Sequence, residues 1–363
     1  KRRQTMRSKK FFLMMLLMIV AVVSTACGGS KSASEEKEDT KKADNAEVKI
    51  LSSEYTLPDD SSTNLHENEL ILKINVSVKN TGKEPLMVDK NQFSLYEGDS
   101  KMSDVSVYDE RNKRLRSSTL NSDKEVDGNI YYIVEKGKKF QLEYTPDMYG
   151  ENKADPVKFE IDGGSDDLLK TAKKLEDPAK ALLAYTDVTI FGKDNDNFDK
   201  LVDENKREVV TDYLEGAQKS IVRSLGYYDE EDVDKKKLNK LISAIQNAYQ
   251  EKSQVKAVTK TISGDEATVE ATVTPIDNTD VQKKVKKRLE DYVKDSGKNF
   301  MSRDELINPA IDIMSEEIKK AQATSSEKTV EVKLEKSKND KWKMDADNYK
   351  TEQYFSSFLK SNN

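Results

Sequence analysis

The sequence predicts two folded domains of different class, a β-sandwich over residues 47–163 followed by an α+β domain over residues 164–363. Strict apolar–polar alternation over residues 70–78 indicates a strand with one face in a core and the other in water. Further short strands separated by turn residues are typical of an antiparallel sandwich. After a Gly-Gly-Ser junction at residues 163–165 the apolar period changes to about 3.6, which predicts helices.

A basic and then apolar segment near the start of the sequence has the order of a secretory signal. Lys9 and Lys10 precede 13 uninterrupted apolar residues, numbers 11–23. As a helix, such a stretch extends about 20 Å, which is short of the roughly 30 Å hydrocarbon core of a bilayer. We therefore expect residues 1–26 to be an export signal rather than a permanent membrane span.

The only cysteine, Cys27, directly follows this stretch and the small residues Ser24, Thr25 and Ala26. The arrangement resembles the lipobox of bacterial lipoproteins, in which the cysteine thiol receives a diacylglyceryl group and becomes the new N-terminus. Ser24 departs from the pattern, since Leu, Val or Ile usually stands there. The resemblance implies a lipid anchor at Cys27, with acyl chains such as palmitate, at the extracytoplasmic face of the cell membrane. An ordinary signal peptide with an incidental cysteine is the alternative.

Charge and composition exclude several classes of partner and bond. The formal net charge is −6, and removing the predicted signal with its six basic residues leaves 55 basic and 67 acidic residues, or −12. Such a body is repelled by anionic lipid head groups. The sequence carries no basic, aromatic-interleaved surface, so we expect no nucleic-acid partner. Because Cys27 is the only cysteine, no disulfide is expected.

Residues 27–46 are predicted to form a disordered tether that starts at the lipidated cysteine. No large apolar residue occurs between Gly28 and Glu47, so the segment cannot bury enough surface to offset the entropy of ordering it. A flexible coil of about 20 residues has a root-mean-square reach on the order of 25 Å. We expect the tether to carry the folded domains clear of the membrane.

Five more segments of the first domain are strand candidates, namely residues 48–55, 92–96, 128–134, 138–144 and 156–161. The alternating strand ends in Asn80, Thr81 and Gly82, and Glu-Pro-Leu and Phe-Ser-Leu segments follow at 84–86 and 93–95. This order resembles the immunoglobulin-like domain of uncharacterised lipoproteins from Gram-positive bacteria. The resemblance implies an immunoglobulin-like sandwich and carries no known catalytic residue with it.

Three side chains of the first domain are weighed as functional groups. His66, the only histidine, lies in a polar loop without the partners that a nucleophile relay or a zinc site needs, so we expect an exposed loop residue. Tyr131 and Tyr132 are neighbours on a strand, so one should face the core and the other water. Ligand stacking by the outward tyrosine is the functional alternative.

The second domain is predicted as helices and two strand pairs. The helical segments are residues 168–175, 177–190, 201–225, 233–250, 281–293, 303–322 and a short last one around 354–359. The strand pairs are residues 253–262 with 266–275, joined by Ser263, Gly264 and Asp265, and residues 328–336 with 341–345. The strand at Trp342 is similar to the closing strands of cystatin-like and nuclear-transport-factor-like folds. The order of elements also resembles a C-terminal domain of unknown function in Gram-positive lipoproteins.

Motifs for catalysis or metal binding were tested and none is complete. Asp194 begins an acidic run, but the fifth, sixth and twelfth positions of an EF-hand hold Phe198, Asp199 and Asn205, so we expect a solvated turn with Phe198 in the core. Phosphate-binding loops and nucleophile elbows do not occur. We therefore expect no catalytic residue, metal or cofactor.

Charged clusters have ordinary structural explanations. The carboxylate pairs Glu230 with Glu231 and Glu316 with Glu317 mean little in a chain with 67 acidic residues. In the basic run at 283–288 we expect Val281, Val285 and Leu289 to form a buried stripe while the lysines face water. Contact of this run with an anionic polymer or lipid is the alternative.

Taken together, the sequence predicts a cell-surface lipoprotein that acts as a non-enzymatic binding or assembly module with an envelope protein as partner. One alternative is an envelope hydrolase that uses carboxylates of the second domain, and another is a structural factor in stress or surface behaviour. In cone-shaped relatives of the second fold, the concave sheet holds an apolar ligand or is filled by side chains. A filled cone with an exposed apolar patch favours partner binding.

Overall fold

The computed structural model describes residues 39–43, 45–107, 113–146, 155–226, 233–298, 300–345 and 348–360. The predicted signal at 1–26, the predicted lipidation site Cys27 and the pair Glu230 and Glu231 lie outside these residues. Within the described ranges, no helix combines the length and apolar character that a membrane span requires.

The first domain is a sandwich of two four-stranded antiparallel sheets. Its described strands are β1 Asp39–Ala43, β2 Ala46–Thr56, β3 Glu69–Asn80, β4 Leu86–Val88, β5 Phe93–Glu97, β6 Ser100–Lys101, β7 Ser118–Leu120, β8 Glu125–Glu135, β9 Lys139–Tyr144 and β10 Val157–Asp162. One sheet has the order β1-β2-β3-β8 and the other β10-β9-β5-β6, while β4 and β7 form a separate pair. The predicted all-β fold of this part of the chain is confirmed.

The alternating pattern of β3 explains why the two sheets pack face to face. Leu72, Ile74 and Val76 point inward and are fully buried. They share one core with Phe140 and Leu142 on β9 of the opposite sheet. Each fully buried side chain of this size stabilises the fold by about 1.5–3 kcal/mol relative to exposure.

The end of the predicted tether is a strand, which corrects the prediction of disorder up to residue 46. β1 pairs antiparallel with β2, from Asp39 opposite Ile50 to Ala43 opposite Ala46. Lys41 donates a hydrogen bond to the carbonyl oxygen of Lys158 on β10, in the other sheet. Backbone pairing needs no large apolar side chain, so an analysis of apolar residues alone does not detect such an edge strand.

Tyr131 and Tyr132 are both buried, at 4% and 2% exposure, so the expectation that one faces water is wrong. Tyr132 lies in the sandwich core, and Tyr131 packs with Ile71 and Val107 on the outer face of the first sheet. The reason is the chain after β6, which pairs with the free edge of β8: Val105 N–H donates to Tyr131 O at 3.0 Å and Ile133 N–H to Ser103 O at 3.0 Å. This segment covers the face that the alternation assigned to solvent.

The second domain packs helices on a four-stranded antiparallel sheet of order β11-β12-β14-β15. Its described helices are α1 Asp166–Lys174, α2 Asp177–Thr189, α3 Phe198–Leu201, α4 Lys206–Ser224, α5 Lys235–Lys252, α6 Asn278–Asp295, α7 Arg303–Ile318 and α8 Tyr349–Ser356. Its described strands are β11 Gln254–Ser263, β12 Glu266–Thr274, β13 Ile276–Asp277, β14 Lys328–Lys336, β15 Trp342–Met344 and β16 Leu359–Lys360. Both predicted strand pairs form, and the predicted α+β class is confirmed.

Side chains fill the inner face of this sheet. Val269 on β12 and Val332 on β14 are fully buried in the same core as Tyr354 and Phe358. The ring of Phe358 contacts Tyr249 and Tyr354 edge-on, with centroids 5.8 and 5.5 Å apart. The inner face of this sheet is therefore part of a packed core.

Helix α4 begins at Lys206 instead of the predicted residue 201. Val202 and Trp342 form a parallel bridge, and Asp203 N–H donates to Trp342 O at 3.0 Å. Asn205 then caps the helix, its side chain accepting from Arg207 N–H at 3.0 Å. Pairing with β15 thus holds residues 202–203 extended, which the apolar pattern does not reveal.

The first helix of the predicted second domain packs on the first domain. Leu168 and Ala172 of α1 belong to the sandwich core. Tyr55 N–H at the end of β2 donates to Thr171 Oγ1 at 2.8 Å, and the Tyr55 hydroxyl donates to Gly163 O at 3.1 Å. The two cores therefore do not separate at the predicted boundary of residue 164, and the described residues of both domains lie in one compact unit.

Candidate functional site

A cavity of about 570 Å³ lies at the junction of the two domains and is the candidate site. We call it the junction cavity, with walls from the β2–β3 loop, the α1–α2 segment and strand β11. Its volume is within the roughly 300–1,000 Å³ typical of small-molecule and cofactor sites. No single domain supplies all of these walls.

The first wall is the loop that follows β2. Leu57 and Pro58 are buried, and Leu65 and Leu70 are half-buried. Ile262 N–H on β11 donates to Pro58 O at 2.9 Å, which closes one end of the cavity with a backbone hydrogen bond between the domains. Apolar side chains from this loop therefore form part of the cavity floor.

The second wall is the connection from α1 into α2. Leu175 and Leu183 face the cavity and remain half-buried. Helix α2 starts with Pro178 in its first turn, where the missing N–H costs nothing. The N–H groups of the first helical turn have no partner within the helix. One of them, Ala179 N–H, donates to Thr259 Oγ1 at 3.3 Å and so connects α2 to β11.

The third wall is β11, an edge strand of its sheet. Ala257, Val258, Thr259 and Lys260 line the cavity. Val258 is 56% exposed. It lies on the polar face of the strand, between the charged residues Lys256 and Lys260. Val258 thus adds exposed apolar surface to this wall of the cavity.

Polar groups surround the apolar floor. Glu176 and Lys180 form an ion pair at 2.8 Å, and Glu69 Oε2 accepts from His66 N–H at 2.7 Å. Lys260 contributes a further charge at the rim, and no ion pair to it occurs among the described residues. An apolar floor with a few convergent polar groups is the arrangement that binding pockets use for affinity and orientation.

Two family models match the chain. The Domain of unknown function (DUF4352) matches residues 36–154, and the Domain of unknown function (DUF5105) matches residues 168–359, more than half of the 363 residues. The chain belongs to the DUF5105 family. The position of the two matches agrees with a β domain followed by an α+β domain.

A relative of this DUF5105 protein is the uncharacterized lipoprotein YcdA of Bacillus subtilis strain 168. It is 42% identical over 323 residues, which cover 89% of this chain and 90% of the relative. The crystal structure of ycdA superposes with a TM-score of 0.83 and covers 90% of this chain and 100% of the crystallised chain. The resemblance to Gram-positive lipoproteins with two domains of unknown function is thereby confirmed.

The structure brings one of the weighed residues to the junction cavity. His66 is exposed at the rim, as expected for a loop residue. In the acidic turn, Asp194 and Asp199 pair with Lys206 at 2.7 and 3.3 Å, and Phe198 is fully buried, so that prediction is also confirmed. Among the described side chains, no group of three or more His, Cys, Asp or Glu is arranged to hold a metal ion.

The charged clusters of α6 and α7 of this DUF5105 protein are structural. Arg288 bonds Glu316 and Glu317, each at 2.7 Å, and Lys320 bonds Glu317 at 2.8 Å. The hydrogen bond from Lys320, followed by that from Arg288, lowers the pKa of the buried Glu317. Val281 is buried and the lysines of the run are exposed, as predicted, whereas Val285 and Leu289 of the predicted buried stripe are half-buried.

Sequence reasoning missed the junction cavity as a site. Its walls come from segments near residues 57–70, 172–183 and 257–260, which no local pattern connects. The one local signal is Val258, an apolar residue between Lys256 and Lys260 on the polar face of a strand. Interpreting Val258 as a contact residue would have indicated this part of the chain.

Proposed function

We propose that this chain is a lipid-anchored, extracytoplasmic binding protein that holds its ligand in the junction cavity without chemical conversion. The lipid anchor is at Cys27, as the lipobox resemblance implies, and the YcdA lipoprotein supports membrane association. Lipidation at this residue would pin the folded domains to the outer face of the cell membrane.

The junction cavity is the observation that carries the binding role. Its floor is apolar, its rim is polar, and Val258 is exposed beside it. A fold of this kind can also hold an apolar ligand on the inner face of the sheet of the second domain. In this protein side chains such as Tyr354 and Phe358 fill that face. The cavity is thus the best supported binding surface of the described residues.

The carboxylates at the rim support binding over hydrolysis. General acid–base catalysis needs two carboxyl groups in distinct environments in one cleft. Glu176, the cavity carboxylate that the second domain supplies, is held by Lys180 at 2.8 Å, and Glu69 accepts a backbone hydrogen bond. Glu67, the third glutamate that lines the cavity, is exposed on the β2–β3 loop, so Glu176 is the one described carboxylate that the second domain supplies to the cavity.

An apolar fluorescent dye, anilinonaphthalene sulfonate, tests the binding role. The full chain carrying Cys27→Ala, which lacks the acyl chains, should bind the dye saturably at one site. Adding Val258→Glu should weaken the dye affinity at least tenfold, because a carboxylate replaces the apolar wall of the cavity. Fluorescence titration measures both constants.

Met87→Glu is the matched control. Met87 is 59% exposed on β4 of the first domain, so an apolar side chain of similar exposure becomes a carboxylate while the cavity is untouched. The dye affinity should stay within twofold of the parent. Equal weakening by both substitutions, or no saturable dye site at all, contradicts a ligand site at the junction.

A further inference from the structure

We propose that the ligand of the junction cavity is an extended peptide that adds a strand to the free edge of β11. This inference rests on the proposed binding function and goes beyond it by naming the class of ligand. Strand addition of this kind obtains affinity from backbone hydrogen bonds and specificity from pockets for alternate side chains.

The outer edge of β11 is open over most of its length. β11 pairs with β12 on one side and is the end of its sheet. Between Gln254 and Thr261, no backbone group has a backbone partner outside β12 within the part of the chain that the structure describes. At about 3.3 Å per residue this edge is roughly 25 Å long.

A backbone partner is already present where the open edge ends. Ile262 N–H donates to Pro58 O at 2.9 Å, so a segment of the first domain lies along the end of β11 at hydrogen-bonding distance. A peptide paired with residues 255–260 would continue this interface along the same edge. The cavity lies beside residues 257–260, so space for an added strand exists where the backbone groups are unpaired.

The walls of the cavity fit the side chains of a strand. Successive side chains of a strand point to opposite faces, so every second residue of the peptide would face the same wall. Leu175 and Leu183 on the helical wall and Leu65 and Leu70 on the loop wall offer apolar surface. We therefore expect apolar residues at alternate positions of the peptide.

Lysines on β11 would select the charge of the peptide and disfavour pairing with other chains. Lys260 lies in the cavity wall and Lys256 on the same face of β11, and neither has an ion pair among the described residues. A register shift between Thr259 and Thr261 marks a bulge. Lysines and bulges on edge strands prevent pairing with arbitrary chains, and here the lysines favour a peptide with a carboxylate near its apolar residues.

Fluorescence anisotropy with a designed probe tests this assignment. The probe is a labelled nine-residue peptide of alternating valine and threonine with one glutamate, added to the full chain carrying Cys27→Ala. Two further probes carry N-methyl groups on one or the other alternate set of amides, which removes those donors. The unmodified peptide should bind saturably, and one N-methylated form should bind at least tenfold more weakly, because only one set of amides faces β11.

Hydrogen exchange locates the peptide. Amides within residues 254–261 should exchange more slowly with the unmodified peptide, and those of β14 should not change. Protection of this edge in the free protein would mean that the chain itself covers it, and would overturn the assignment. Slowed exchange at β14 in place of β11 would also overturn it.

The outcomes separate this inference from the proposed function. Dye binding without peptide binding, or equal affinity of all three peptides, overturns strand addition and leaves a cavity that binds ligand by its side chains. Failure of both the dye and the peptide overturns both proposals. Because the decisive modification is on the probe, the fold of the protein is the same in every arm.

Discussion

A buried hydrogen bond between two hydroxyl groups lies in the core of the second domain. Tyr354 is fully buried, and its hydroxyl is hydrogen-bonded to Thr186 Oγ1. Because Thr186 Oγ1 itself donates to Leu182 O at 2.8 Å, Tyr354 is the donor of the pair. Burial raises the pKa of Tyr354, so the group stays protonated over the ordinary pH range.

Replacing Tyr354 by phenylalanine tests this hydrogen bond. The substitution keeps the ring and should lower the free energy of unfolding by about 1–3 kcal/mol, because the buried Thr186 oxygen loses its donor. Urea denaturation measures the change. Tyr349→Phe is the control, since Tyr349 lies on the same helix at 67% exposure and should cost less than about 0.5 kcal/mol. Equal costs for the two variants would contradict the assigned role.

Among the elements, α7 depends on a capping box. Ser302 Oγ accepts from Glu305 N–H at 3.3 Å, and Glu305 Oε2 accepts from Ser302 N–H at 2.8 Å. A hydrogen bond from Lys298 and those from Ser302 lower the pKa of Glu305 from 4.5 to about 2. A lowered carboxyl pKa stabilises the folded state above the unfolded value, and this stabilisation is lost as the pH falls from 4.5 toward 2.

Two substitutions separate the parts of this cap. Ser302→Ala should lower the free energy of unfolding by about 0.5–2 kcal/mol at neutral pH. Glu305→Gln should be less stable than the parent at pH 7. The difference should shrink as the pH approaches 3, because the Glu305 carboxyl group of the unfolded parent then takes up a proton while that of the folded parent stays ionised. Urea midpoints from pH 7 to 3 measure this. A difference that does not change with pH would show that the carboxylate charge has no role.

Elements with a strong local signal were predictable from the sequence. The β11–β12 hairpin follows from alternation on both sides of Gly264, whose φ of +60° favours glycine. Elements that depend on backbone pairing with distant segments were not. β1 has only small and polar residues, and the start of α4 is set by pairing of residues 202–203 with Trp342.

The candidate site shows the same limit. Burial of Tyr131 depends on the chain after β6, and the junction cavity depends on three segments that meet only after folding. Alternation predicts which face of a strand is apolar, but it does not show what packs on the other face. The sequence therefore predicted the sheets and left the cavity between the domains unseen.

At the scale of the whole molecule, the start of β1 limits how far the folded domains could lie from the proposed anchor. β1 begins at Asp39, 12 residues after Cys27. A fully extended chain of that length reaches at most roughly 40 Å. The strand shortens the predicted 20-residue tether, so the proposed anchor at Cys27 would keep the first domain within roughly 40 Å of the lipid surface.

Removal of the cysteine tests the anchor. Cys27→Ala should release the protein from the membrane fraction into the medium, because no acyl chains remain to hold it. Ser32→Ala, a change of similar size in the same segment, should leave the protein in the membrane fraction. Immunoblots of cell fractions measure the distribution. Retention of the Cys27→Ala protein on the membrane contradicts anchoring through this residue.

The position of β1 has a mechanical consequence. If Cys27 is fixed in the membrane, a force on the folded domains acts first on the five residue pairs between β1 and β2 and on the hydrogen bond from Lys41 to β10. Force along the chain would peel this strand before it loads the sandwich core. Detachment of β1 would add its five residues to the tether while both domains stay folded. The strand could therefore extend under force without unfolding of the domains.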